Sequence, residues 1–92
     1  MTLLISADFL QLDYHSDPKA YEPSKFFEEE GSEKFDAYSA NQMLIMLNQI
    51  GLDMSLDDYS LKKLEIFLRT ELPFFTVNRR LVRKWVTENF LY

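Results

Sequence analysis

The 92-residue sequence predicts a mainly α fold: a small single-domain helical bundle of three main helices behind an irregular, partly helical, acidic amino-terminal third. Three observations point there. Apolar residues recur at three- and four-residue spacing over residues 33–50, 56–71 and 79–90, the period of a helix and not of a strand. Stop signals, Gly51 and Pro73, separate those stretches. Ninety-two residues are enough to close one core and too few for two domains. Residues 1–31 are therefore read as an irregular acidic and aromatic segment, and residues 32–92 as a three-helix unit.

At the amino terminus, Leu3-Leu4-Ile5 reads as a short strand or a buried lead-in, and Ser6 as the cap of a short helix through Ala7, Phe9, Leu10 and Tyr14. Asp17-Pro18 and Glu22-Pro23 bracket an irregular loop, and Ser24 to Glu30 forms one or two helical turns. In the first main helix, Met43, Leu47 and Ile50 share one face. Two starts compete for it. Ser39 stands three residues before Gln42, the spacing of a capping box; alternatively the stripe runs back through Tyr38 and Phe35 to a cap at Ser32. The longer helix, 33–50, is preferred, with Gly51 as its left-handed cap and Leu52 folding back on the last turn.

Ser55 followed by Asp58 repeats the start signal for the second helix, whose Leu61, Leu64, Phe67, Leu68 and Leu72 share a face while Lys62, Lys63 and Glu65 fall towards water. Pro73 ends it. Phe74 to Val77 reads as a short extended connector, after which Asn78 or Thr76 caps the last helix. Leu81, Val82, Trp85, Val86 and Phe90 form its dry side; Arg79, Arg80, Arg83 and Lys84 form a basic side. The expected core is Met43, Leu47, Ile50, Leu64, Phe67, Leu68, Leu81, Trp85 and Val86.

Charge is distributed unevenly along a chain of net −5. Residues 1–61 hold three lysines against twelve acids, −9, and residues 62–92 hold seven bases against three acids, +4. Such polarity steers a charged partner, drives head-to-tail association into a homodimer, or is neutralised internally by acids folding over the basic helix.

Enzyme chemistry finds little footing. No cysteine is present, the single histidine has no second imidazole to share a metal, and His15-Ser16-Asp17 are sequence neighbours whose side chains diverge. Asp53 to Leu64 has the length of a calcium loop, but Asp58 replaces the required glycine and Leu64 the bidentate glutamate. Two glycines leave no phosphate-cradling loop. No catalytic residue, cofactor or metal ligand is assigned. No apolar run reaches membrane-spanning length, and a soluble cytoplasmic protein without membrane contact is expected.

Binding is the remaining class. Fourteen aromatic rings exceed what so small a core encloses, so some should face a partner. The candidate protein-binding residues are Tyr14, Tyr21, Phe26, Phe27, Glu28, Glu29 and Glu30, an acidic and aromatic surface suited to a basic, nucleic-acid-handling protein. This composition fits a compact regulator or inhibitor of the kind carried by viruses and mobile elements. The alternative is a helix-turn-helix-like nucleic-acid-binding domain using Arg79, Arg80, Arg83 and Lys84.

Overall fold

A computed structural model describes residue 5, residues 7–15 and residues 21–90. The expectations for Leu3-Leu4, for a Ser6 cap and for Asp17-Pro18 lie outside the described residues. The described residues are mainly helical, as the apolar spacing predicts. A 3₁₀ turn at Ala7–Phe9 is followed by α1 (Pro23–Phe27), α2 (Ala40–Met54), α3 (Asp58–Thr70) and α4 (Arg79–Asn89). Helix α2 packs against both α3 and α4, α1 lies against α4, and the 3₁₀ turn lies against α2.

Helix α2 starts at the later of the two competing caps. Ser39 Oγ accepts from the Gln42 amide, and residues 33–38 are not helical. The reason is tertiary pairing. Phe35 donates its N–H to the Val77 carbonyl, and Lys34 bridges Asn78, so this segment is drawn out alongside the connector. Asp36 then turns the chain into the helix, its Oδ1 accepting from the Tyr38 amide at 2.9 Å.

The far end of α2 also differs from expectation. The helix runs through Gly51 to Met54, and the left-handed residue is Ser55, at φ 55°. Ser55 N–H bonds the Leu52 carbonyl and Leu56 N–H the Gly51 carbonyl, the paired closure of a Schellman motif displaced four residues from Gly51. Leu56, not Leu52, folds back into the core. With Ser55 closing one helix, Asp57 caps the next, accepting from the Ser60 amide. Leu72 has already left α3 ahead of Pro73, and Asn78 caps α4 by accepting from the Leu81 amide.

Phe26, Phe27, Phe35, Met43, Met46, Leu47, Ile50, Leu61, Leu64, Leu68, Val82 and Val86 are all buried. Phe67 and Trp85 are half-buried at its edge and stack with centroids 5.7 Å apart. Leu81 is not in the core. The inward stripe of α4 is Arg79, Val82, Val86 and Phe90, which turns Leu81 outward to 42% exposure.

Glu65 corrects the expectation for α3. It is fully buried, because it stands four residues after Leu61 and three before Leu68 on the inward face. Its carboxylate accepts from the Gln11 amide at 3.1 Å, the Leu12 amide at 3.2 Å and the Tyr14 hydroxyl at 2.5 Å. One turn on, Arg69 donates to the Ala37 and Asp13 carbonyls, its guanidinium facing the rings of Tyr38 and Tyr14. Together they fasten residues 11–15 over the bundle.

Candidate functional site

The first turn of α4 is built into the acidic third. A helix leaves its first amides without intrahelical acceptors. Here the Glu33 carbonyl takes the Arg79 N–H at 3.0 Å, the Gly31 carbonyl takes the Arg80 N–H at 3.1 Å, and the Asn78 side chain takes that of Leu81. Side chains follow the same direction. Arg79, on the inward stripe, is only 4% exposed; its guanidinium lies 3.9 Å from the Phe26 ring centroid, and Nη1 reaches Glu30 Oε1 at 3.5 Å. Its Nε is buried without a hydrogen-bond partner, over the negative face of that ring.

Arg80 donates through Nε to the Phe27 carbonyl at 2.8 Å and through Nη2 to the Glu28 carbonyl. Gly31 makes room for it: a β-carbon there would collide with the Phe27 carbonyl and the Arg80 side chain. Arg83 forks onto Asp53, Nε to Oδ2 at 2.8 Å and Nη2 to Oδ1 at 3.1 Å, and lies over the Phe27 ring. Burial pushes the Asp53 carboxyl up, but the hydrogen bonds from Arg83 and Gln49 and the Arg83 charge outweigh it and hold the group below its ordinary 3.8. Lys84 is exposed. The expectation that all four bases form one solvated side therefore holds for Lys84 and fails for Arg79.

The acidic and aromatic candidates divide in a similar way. Phe26 and Phe27 are core rings packed edge to face and cannot be surface contacts. Tyr21 is half-buried against Phe26, its hydroxyl accepting from the Gln42 amide group. Tyr14 lies away from this cluster, on Glu65 and Arg69; burial, then donation to the Glu65 carboxylate, pushes its phenol well above 10.0. Glu28 and Glu29 face solvent, and Glu30 is partly covered by Arg79.

Exposed aromatic residues also lie outside the predicted set: Tyr38 and Tyr59 stand singly, and Phe74 and Phe75 stand together. Thr76 N–H closes a turn onto the Pro73 carbonyl at 3.0 Å, and the turn lifts Phe74 and Phe75 clear of the bundle at 92% and 55% exposure. Val77 and Leu81 continue the patch at 54% and 42%. A shallow cleft of about 160 Å³ beside them is lined by Phe75, Thr76, Leu81, Lys84, Trp85 and Glu88. Sequence reasoning treated Phe74 to Val77 as a connector. The available signal was two adjacent phenylalanines directly after a helix-stopping proline, where a tight turn cannot bury both rings.

A larger open groove, about 520 Å³, runs along α4 between Phe27, Glu28, Asp53, Arg80, Arg83, Lys84 and Thr87. Among the described residues, no three His, Cys, Asp or Glu side chains converge as a metal site would require, and no helix is long and apolar enough to cross a membrane. His15 meets Asp36 at 2.6 Å. In comparisons with known proteins, no family model, curated protein or solved structure matches the chain.

Proposed function

We propose that this chain is a non-enzymatic protein-binding module, a regulator or inhibitor, that engages its partner through the aromatic tip formed by Phe74, Phe75, Val77 and Leu81. One observation carries the reading: four exposed large apolar side chains, Phe74, Phe75, Val77 and Leu81, follow one another through and just beyond a turn anchored at both ends by capped helices. Contiguous exposed aromatics are costly to leave in water and are enriched at the centres of protein interfaces. The backbone pairing of Phe35 with Val77 and of Glu33 with Arg79 places an acidic segment beside the tip. Exposed Glu33, in that segment, supplies a rim for basic residues of the partner.

The nucleic-acid alternative would require a run of bases open to successive phosphates; Arg79 is buried, Arg80 and Arg83 each commit Nε and Nη2 to this chain, and the acids Glu28 and Asp53 stand beside them. Nothing in the geometry favours it.

The test is paired affinity capture with wild-type protein and the Phe74→Ser/Phe75→Ser variant, followed by direct binding measurements on each purified partner. The reading expects a partner bound by the wild type at least about tenfold more tightly than by the variant, while the two proteins melt within about 0.5 kcal/mol of each other, as for exposed surface substitutions. A partner bound equally by both, or one lost only on reversing Glu28 and Glu29, would move the interface away from the tip.

A further inference from the structure

We infer that the groove between α1 and α4 is a binding site for a small organic anion, specifically a monocarboxylate with an apolar body. Three positive side chains line it, Arg80, Arg83 and Lys84, in a molecule of net charge −5. The two guanidinium groups are held in place before any ligand arrives. Arg80 uses Nε and Nη2 on the Phe27 and Glu28 carbonyls, and Arg83 uses Nε and Nη2 on Asp53. Among the described residues this leaves Nη1 of each without a protein partner, while Lys84 Nζ stands exposed on the same flank. Pre-ordered donors of this kind lose little side-chain freedom on binding an oxyanion.

Charge selects the ligand class. Asp53 and Glu28 also line the groove, so three bases against two acids leave a net +1, which one carboxylate neutralises and a phosphate dianion overshoots. The volume, about 520 Å³, falls within the range of roughly 300–1,000 Å³ usual for small-molecule sites. The walls are mostly apolar, with the Thr87 methyl and the methylene stems of Arg80, Arg83 and Lys84 available to the body of the ligand. Phe74 and Phe75 do not line this groove; Lys84 borders both it and the cleft beside the tip, so the Phe74→Ser/Phe75→Ser variant, which should bind the anion as the wild type does, keeps the two sites distinguishable.

The probes are 3-phenylpropionate, its neutral isostere 3-phenylpropanamide, inorganic phosphate and a short DNA duplex, each titrated into the isotopically labelled full chain and followed by backbone and arginine Nε resonances. The inference expects saturable shifts at Arg80, Arg83, Lys84 and Thr87 with the carboxylate, and at least about fivefold weaker binding of the amide and of phosphate. Lys84→Ala should weaken the carboxylate at least about threefold without changing the melting temperature, and Arg80→Lys, which keeps the charge but loses the fork, should weaken it as well. Equal binding of carboxylate and amide, shifts that never saturate, stronger binding of phosphate or duplex, or indifference to both substitutions would overturn it.

Discussion

Replacing Glu65 by Leu tests how residues 11–15 are held. The carboxylate is fully buried, and it is the acceptor for the Gln11 and Leu12 amides and the Tyr14 hydroxyl. Leucine fills similar space on a face already lined by Leu61, Leu64 and Leu68, so the substitution removes acceptors without opening a large cavity. A donor left unsatisfied in the interior costs about 1–3 kcal/mol. Gln11 is exposed and Tyr14 half-exposed, so water serves part of the demand, and the three losses together come to about 2–4 kcal/mol. That is a large share of the roughly 5–14 kcal/mol expected for a domain of this length. Urea unfolding should show the midpoint falling by about 1–3 M at an unchanged slope. Amide exchange at Gln11 and Leu12 should accelerate, and Glu65→Gln, which keeps an acceptor, should lose less. A Glu65→Leu protein within about 0.5 kcal/mol of wild type, with both amides still protected, would refute the clasp.

Gly31→Ala should destabilise the protein by about 1–3 kcal/mol, the range for overpacking, and should displace the Arg80 guanidinium from the Phe27 carbonyl, seen as a shift of its Nε resonance. Ser55→Gly should stabilise by about 0.5–1 kcal/mol in thermal unfolding, because Ser55 occupies the left-handed region that glycine enters without a β-carbon penalty. The stability tied to protonated Tyr14 is complete below the ordinary phenol value of 10.0 and is lost as pH rises above it, since the unfolded chain ionises first. Melting measured from about pH 9 to 11 should therefore fall more steeply for wild type than for Tyr14→Phe.

The helices were legible because their apolar spacing is local information. Val82, Val86 and Phe90 repeat along α4, and Asn78 is a cap whatever surrounds it. What escaped was set by pairing between distant segments. Phe35 and Tyr38 fit a helical stripe, yet the Val77 carbonyl captures the Phe35 amide and the helix starts at Ala40. Gly51 looked like a cap by composition, but continuing to Met54 lets Leu56 reach the core.

Residue type misled at two buried charges. Glu65 and Arg79 both sit at inward positions of their helices by simple periodicity, but charged side chains usually face water, and residue type masks the position. At the candidate surfaces, Phe26 and Phe27 stand beside a run of glutamates and read as exposed, while Phe74 and Phe75 are the rings that reach solvent. No local signal separates these two pairs except the tight turn after Pro73.

The melting temperature of Arg79→Ala decides whether the basic start of α4 is part of the folded interior or a free cationic face. The guanidinium is 4% exposed, lies over Phe26 and reaches Glu30, and a desolvated cation–π contact with its packing is worth about 2 kcal/mol or more. For a domain of this size that corresponds to a fall of roughly 8–16 °C. An unchanged melting temperature would contradict the docking of α4 on the acidic third and return Arg79 to solvent.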